Sequence, residues 1–116
     1  MTAAPPRART GVMDDDGGMD DPVTLINAFE VPATEAEAFI AAWEKTRDYL
    51  ETQPGYGDTA LHRALTPGAD FEFVNIAHWR SAADFAAATQ SPGFQEVAAG
   101  LARYPRHPAL YRMVRN

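Results

Sequence analysis

The chain of 116 residues contains no cysteine. This absence excludes disulfide bonds, thiolate nucleophiles and zinc sites built on cysteine. The chain also lacks a basic excess, because 16 acidic residues stand against 10 Lys and Arg, giving a formal charge of −6. Binding to a phosphate backbone requires a surface rich in Lys and Arg, so we expect no nucleic-acid partner.

Long apolar runs are missing as well. No stretch approaches the roughly 20 consecutive apolar residues that cross a bilayer, so we expect no membrane partner. The N-terminal residues lack the apolar block of a secretory signal, and we therefore expect a cytoplasmic protein. The hydrophobic fraction of 46% is ordinary for a soluble globular domain, and the length predicts one such domain.

Composition divides the chain into two segments. Residues 1–21 are rich in Pro, Gly, Ala and Asp without an apolar period, so we expect a disordered acidic tail. Residues 22–116 carry periodic apolar patterns and form the predicted folded domain. A domain of this size buries only about 60–70% of its unfolded surface, so pairing with a second copy would enlarge its core.

Four segments have the alternation and the flanking turn residues of β-strands. The predicted strands are residues 23–31, 56–65, 71–79 and 109–114. The second and third are joined by a predicted hairpin loop at residues 66–70, where Pro67-Gly68 suits a turn.

Two helices are predicted between these strands. The first follows Pro32, with Thr34 and Glu37 spaced as a capping box, and ends at Pro54-Gly55. The second begins at a Ser81 cap and starts afresh at Ser91-Pro92, because proline is favoured at the first helical position. The resulting β-α-β-β-α-β order predicts a ferredoxin-like α+β fold in which the first and third strands are antiparallel neighbours.

The third predicted strand carries the most informative pattern. Strand side chains repeat every two residues, so Phe73, Asn75, Ala77 and Trp79 face the same way. An amide and an indole on an apolar face indicate a pocket wall, because Asn is depleted in strands and a buried unpaired amide costs ~1–3 kcal/mol. Asn27 on the first strand is expected to share this face. Two alternatives stay open: a packing role for Trp79, and a backbone partner for the amide of Asn75.

The general base of any such site is left open. His62 lies in mid-strand, His78 points away from Trp79, and His107 falls in the predicted loop before the last strand. No motif singles out one of the three. The C-terminal arginines are interpreted as a solvated end or a dimer contact; they are Arg103, Arg106, Arg112 and Arg115.

Several short motifs lie along the folded domain. They are Leu25-Ile26-Asn27-Ala28-Phe29, the pair Phe39 and Trp43, Pro54-Gly55-Tyr56, Leu61-His62-Arg63, Val74-Asn75-Ile76-Ala77-His78-Trp79-Arg80-Ser81, Phe85, and Ser91-Pro92-Gly93-Phe94. Together, over roughly residues 22–114, they resemble the antibiotic biosynthesis monooxygenase family. The resemblance implies a dimeric α+β barrel, with two copies joined through the sheet face opposite the helices, where Val74, Ile76 and His78 lie.

One branch of that family consists of cofactor-independent oxygenases that convert anthrone-type polyketides to quinones with O2. The pocket Asn and Trp of this branch resemble Asn75 and Trp79, and the resemblance implies that these two residues are catalytic. It also implies a small aromatic substrate, no cofactor and no metal. A phenol that some members carry in the following helix corresponds to Phe85. The expected substrate-binding residues are Asn27, Phe29, Phe39, Trp43, Phe73 and Phe85.

Two other functions remain as alternatives. A second branch of the family degrades haem, using an Asn on the first strand, a Trp at the end of the third and an axial His on the second helix. Asn27 and Trp79 match the first two, but residues 81–103 contain no His. The other alternative is a non-catalytic dimeric module that binds a small aromatic ligand.

Overall fold

The computed structural model describes residues 20–116, so nearly all of the predicted tail at 1–21 lies outside the described residues. Two 3-10 turns, Ala33–Glu35 and Ala98–Leu101, flank the helical segments. The strands are β1 (Val23–Phe29), β2 (Tyr56–Arg63), β3 (Phe73–Trp79) and β4 (Arg106–Tyr111), and the helices are α1 (Ala36–Leu50), α2 (Ala82–Thr89) and α3 (Pro92–Val97). Within the described residues no helix is long and apolar enough to cross a membrane.

The four strands form one antiparallel sheet in the order β2-β3-β1-β4. This arrangement confirms the predicted ferredoxin-like α+β fold. In the β1–β3 register Asn27 lies directly opposite Asn75, and Val23 lies opposite Trp79. Asn27, Asn75 and Trp79 therefore project from the same sheet face, as their spacing predicted.

The last strand begins three residues earlier than predicted, at Arg106 rather than Ala109. Pro105 and Pro108 indicated a loop, but Pro108 pairs with Asn27 inside β4. The strand tolerates this proline because β4 is an edge strand. On an edge strand a residue without a backbone N–H can sit where that group would face solvent rather than another strand. His107 consequently lies in a strand and not in a loop.

The capping box predicted at the start of α1 is wrong. The chain enters this helix through the 3-10 turn, in which the Glu35 N–H donates to the Pro32 carbonyl at 2.8 Å, and no side chain caps either element. The Glu35 carboxylate instead accepts from Arg103 and, at 3.1 Å, from the Tyr104 hydroxyl. In this turn the Ala36 N–H donates to the Ala33 carbonyl. A backbone carbonyl thus accepts from a first-turn N–H for which a Thr34 cap was predicted.

The two predicted serine caps are confirmed. The Ser81 hydroxyl accepts from the Asp84 N–H at 3.0 Å and begins α2. The Ser91 hydroxyl accepts from the Phe94 N–H at 3.2 Å and begins α3, with Pro92 in the first turn. The break between α2 and α3 thus follows directly from the Ser-Pro step.

All three helices pack on the sheet face that carries Asn27 and Asn75. An aromatic cluster at one end joins Phe29, Phe39, Phe73 and Tyr104, and a smaller cluster at the other end surrounds Trp79. The opposite sheet face carries the pair Ile26 and Ile76, with Ala60, Ala109 and Tyr111 exposed beside it. Within residues 20–116 that second face stays open.

Gly55 is a position where we expect a side chain to destabilise the fold. Its φ is 87°, its carbonyl accepts from the Arg80 N–H at 2.7 Å, and an added Cβ would lie 2.5 Å from the Cβ of Asp84. We expect Gly55→Ala to lower the free energy of unfolding in urea titrations by more than the ~1–3 kcal/mol that left-handed backbone strain alone costs, because the contact with Asp84 adds to that strain.

Gly68 provides the matched control for this substitution. Its φ is 79°, yet no atom lies within 4 Å of an added Cβ. Gly68→Ala carries the backbone strain without the contact, so the difference between the two variants measures the clash with Asp84. Equal losses in the two variants would contradict the expectation.

Candidate functional site

A cavity of about 320 Å³ lies between the sheet and the helices. Its lining is mostly apolar and comes from all four strands, from the three helices and from the second 3-10 turn. The lining residues are Leu25, Asn27, Phe29, Trp43, Thr46, Arg47, Leu50, Tyr56, Thr59, Asn75, Ala77, Trp79, Phe85, Thr89, Phe94, Ala98, Leu101, Arg106 and Pro108.

Trp79 provides a buried hydrogen-bond donor to this cavity. Its side chain is 2% exposed and is held edge-on by Tyr56 and Phe85, whose ring centroids each lie 5.6 Å from the indole. The indole Nε1 is buried and has no acceptor within residues 20–116. An unpaired buried donor costs about 1–3 kcal/mol, which an acceptor oxygen that reached Nε1 would offset.

Two amides face each other across the sheet in the middle of the cavity. The Thr59 hydroxyl donates to the Oδ1 of Asn75 at 2.6 Å. Across the strand pair, the Oδ1 of Asn27 is buried without a donor within the described range. The residues that line the cavity therefore include a buried N–H and a buried C=O without a partner in the described part of the chain, which is an unusual state for protein interiors.

Among the described residues two charged side chains line the cavity, and both are arginines. Arg47 donates to the Asp48 carboxylate at 3.0 Å and lies over the ring of Trp43, 5.2 Å from its centroid. Arg106 reaches from edge strand β4 to the carbonyl of Leu101, with its Nη1 at 3.2 Å from that oxygen. This contact joins the sheet edge to the helical layer and closes one side of the cavity.

Tyr56 is the one phenol in the lining. Burial raises the pKa of its hydroxyl, and the nearby carboxylates of Glu51 and Asp58 raise it further. The hydroxyl therefore stays protonated at neutral pH and supplies no phenolate to the cavity.

The three histidines all lie on the sheet face away from the cavity, which answers the question of the general base left open by the sequence. His62 pairs with Val74, His78 with Thr24, and His107 with Ala28. The Nδ1 of His78 lies 2.7 Å from Asp58, and the Nε2 of His107 lies 2.8 Å from Glu30. None of the three can reach a ligand in the cavity, so no histidine there acts as a base.

Six of the eight predicted site residues line the cavity: Asn27, Phe29, Trp43, Asn75, Trp79 and Phe85. The structure places the other two, Phe39 and Phe73, outside the lining. Phe39 is 0% exposed and stacks on Phe73 at 4.8 Å, with Phe29 at 4.9 Å and Tyr104 at 5.3 Å. Both residues lie in the aromatic cluster outside the lining, because their neighbours fill the space between the sheet and α1 at that end.

Sequence reasoning missed six polar lining residues, which are Thr46, Arg47, Tyr56, Thr59, Thr89 and Arg106. Thr59 was not assigned a face, because the β2–β3 register shifts between Tyr56 and Asp58 and breaks the alternation along β2. Arg106 was grouped with solvated arginines, because the flanking prolines hid the strand that carries it. The nearest sequence signal for Thr59 is its place in a strand adjoining the one that carries Asn75.

The lining does not fit haem. As far as residues 20–116 supply it, the lining contains no His, Cys or Met, and its single phenol is held in the protonated form, which is a poor axial ligand. Within residues 20–116 no three His, Asp or Glu side chains come together as a metal site.

Residues 22–100 match the antibiotic biosynthesis monooxygenase family. The chain belongs to this family. A search of curated proteins found no match. Membership confirms the family resemblance read from the sequence, and it gives the chain a general monooxygenase role.

Solved structures agree with this placement in the antibiotic biosynthesis monooxygenase family. A candidate monooxygenase from Shewanella loihica PV-4 is 44% identical, with a TM-score of 0.72, and the match covers 85% of this chain and 100% of that one. SnoaB, a cofactor-independent oxygenase from Streptomyces nogalater, is 29% identical, with a TM-score of 0.72 and coverage of 83% and 96%. A dimeric ferredoxin-like protein from Bacteroides fragilis, 15% identical with a TM-score of 0.66 and coverage of 79% and 96%, shares the fold.

Proposed function

We propose that this protein is a cofactor-independent oxygenase that oxidises an anthrone-type polycyclic aromatic polyketide to a quinone with O2. The observation that carries the proposal is the buried indole N–H of Trp79, which has no partner within residues 20–116 and belongs to a residue that lines the same apolar cavity as Asn75. The likeness to SnoaB supports the absence of a cofactor.

The size and lining of the cavity favour a flat aromatic ligand. Its volume of about 320 Å³ lies at the lower end of the range of about 300–1,000 Å³ that is usual for ligand pockets. Phe29, Trp43 and Phe85 offer ring surfaces for contacts with fused rings. A ligand with a few fused rings and a small number of oxygen atoms matches this combination.

The chemistry needs no group beyond the substrate and O2. Loss of a proton from the CH2 group of an anthrone gives a carbanion that is rich enough in electrons to reduce dioxygen. Recombination of the two radicals forms a C–O bond and gives a peroxide. Loss of the second C–H proton, with cleavage of the O–O bond, then gives the new carbonyl and one water. The CH2 group and O2 are thereby converted into C=O and H2O.

The polar groups of the cavity would act on the charge that develops in these steps. The amide N–H of Asn75 donates to the substrate oxygen on which enolate charge accumulates. The indole N–H of Trp79 donates to the same oxygen or to the peroxide. A prearranged donor of this kind is worth about 2.7–4 kcal/mol in a site from which water is excluded. Asn27 accepts from a phenolic hydroxyl of the substrate and orients the rings.

Oxygen uptake with dithranol, an anthrone, tests the proposal. Protein freed of metal and flavin should consume one O2 for each quinone formed, at a rate well above the spontaneous oxidation of dithranol in buffer. Stabilisation by the anthrone without oxygen uptake would instead identify a non-catalytic binding module. A tight haemin complex with a shifted Soret band would favour the haem-degrading branch.

The open sheet face is the proposed contact with a second copy of the chain. Ile26 and Ile76 form its apolar centre, and a dimer through this face would bury them. We expect a homodimer in sedimentation velocity, and we expect Ile76→Asp to convert it to a monomer, because burying an unpaired carboxylate is costly.

Leu65→Asp is the control for this prediction. Leu65 lies in the β2–β3 hairpin and is 98% exposed, so a charge there should leave the dimer intact. A wild-type protein that sediments as a monomer, or an Ile76→Asp variant that remains dimeric, would contradict the proposed interface.

A further inference from the structure

We propose that Thr59 is a positioning residue that fixes the orientation of the Asn75 amide, so that Asn75 presents its N–H2 group and not its carbonyl to the substrate. The inference rests on the proposed function, because it assigns Asn75 the role of a donor. It adds a residue of β2 to a site whose hydrogen-bonding residues were predicted on β1 and β3.

The register of the sheet brings the two side chains together. Thr59 pairs with Ala77, and Leu61 pairs with Asn75, so Thr59 and Asn75 are diagonal neighbours on the cavity face. Diagonal side chains across an antiparallel pair lie within reach of each other. Both residues line the cavity.

The distances around the hydroxyl decide where its proton goes. The Oγ1 of Thr59 lies 2.6 Å from the Oδ1 of Asn75 and 3.5 Å from the carbonyl oxygen of Ile76. The first distance is typical of an O–H···O bond and the second is too long for one. The hydroxyl therefore donates to Oδ1.

Rotating the Asn75 amide by 180° would break this arrangement. The N–H2 group would then donate to the Oγ1 of Thr59 at 2.6 Å, a separation shorter than the usual N–H···O distance of about 2.7–3.2 Å, and the hydroxyl proton would be left with the Ile76 carbonyl 3.5 Å away. The observed orientation therefore keeps the better-placed hydrogen bond, and we expect a several-fold preference for it. Without the hydroxyl, the amide would turn its carbonyl toward the developing negative charge in a large share of molecules.

Three substitutions test this role through oxygen uptake. Thr59→Val preserves the shape of the side chain but removes the hydroxyl, and we expect kcat to fall by roughly three- to tenfold with KM changed by less than about twofold. Thr59→Ser restores the hydroxyl and should recover most of the lost kcat. Thr24→Val removes a strand hydroxyl from the other sheet face and should leave kcat unchanged.

A double-mutant cycle separates positioning from a general structural effect. In an Asn75→Ala background Thr59→Val should cause no further loss, because there is no amide left to orient. In a Trp79→Phe background the full loss should persist. Equal losses in both backgrounds would overturn the proposal, since residues acting on one another show non-additive effects.

A measurement that does not depend on turnover keeps this inference separate from the proposed function. The side-chain 1H–15N signal of Asn75, assigned by its absence in Asn75→Ala, should shift or broaden in Thr59→Val and keep its position in Thr59→Ser. An unchanged signal in Thr59→Val would overturn the positioning role, even if the protein oxidises anthrones. A shifted signal in a protein without oxygen uptake would support the positioning role and contradict the proposed function.

Discussion

Trp79→Phe should lower kcat for oxygen uptake by about 10²–10³-fold, the loss that follows removal of one prearranged donor from an oxyanion site. The substitution removes the buried Nε1–H that lacks an acceptor, while an aromatic ring remains between Tyr56 and Phe85. Binding of the stable quinone product, followed by fluorescence quenching, should weaken much less than turnover, because the donor acts on charge that develops during the reaction.

The other tryptophan of the chain gives the comparison for this variant. Trp43 also lines the cavity, but it lies on α1 under the guanidinium of Arg47. Trp43→Phe removes an indole N–H from the wall opposite the sheet, and we expect a loss of less than about tenfold in kcat, the size of one ordinary hydrogen bond. A larger loss for Trp43→Phe than for Trp79→Phe would contradict the roles assigned here.

Phe39→Ala should lower the free energy of unfolding by about 3–5 kcal/mol, the range for removal of a fully buried phenylalanine from a packed core. Phe39 is 0% exposed and contacts three other rings. A loss of this size is a large fraction of the ~5–15 kcal/mol that stabilises a typical domain. Chemical denaturation with a circular-dichroism readout measures it.

Phe39→Leu keeps much of the buried volume and provides a milder variant if the alanine variant does not fold. We expect it to be destabilised while the folded enzyme retains the KM of the wild type, because Phe39 does not line the cavity. Leu65→Ala, at a side chain that is 98% exposed, should leave the unfolding free energy within about 0.5 kcal/mol of the wild type. A raised KM with unchanged stability for Phe39→Leu would restore it to the substrate-binding set.

Much of the fold could be predicted because its signals are local. The alternation along β3 and the Ser81 and Ser91 caps depend on neighbours a few residues away, and the structure confirms them. The start of β4 and the entry to α1 could not be predicted in this way. Pro108 is tolerated only because its strand lies at the sheet edge, and the predicted box of Thr34 and Glu37 is replaced by the 3-10 turn Ala33–Glu35, which no side chain caps.

The candidate site shows the same division. Period-two spacing placed Asn75 and Trp79 on one face, and the strand order added Asn27. The spacing could not say which aromatic residues of that face border empty space, since Phe29 lines the cavity and its cross-strand partner Phe73 does not. That distinction depends on how far α1 stands from the sheet, which is a property of the assembled molecule. The sheet face of Thr59 could not be predicted, because the register shift in β2 interrupts the alternation of its side chains.

The placement of every histidine on the far sheet face bears on how turnover should respond to acidity. Within residues 20–116 the lining contains no histidine and no carboxylate, and burial raises the pKa of the Tyr56 hydroxyl above its usual value near 10. A pH–rate profile between about pH 5 and 8 would follow the ionisation of the bound molecule itself. Anthrones that differ in C–H acidity would then give pH–rate profiles that are shifted along the pH axis, although the enzyme is the same.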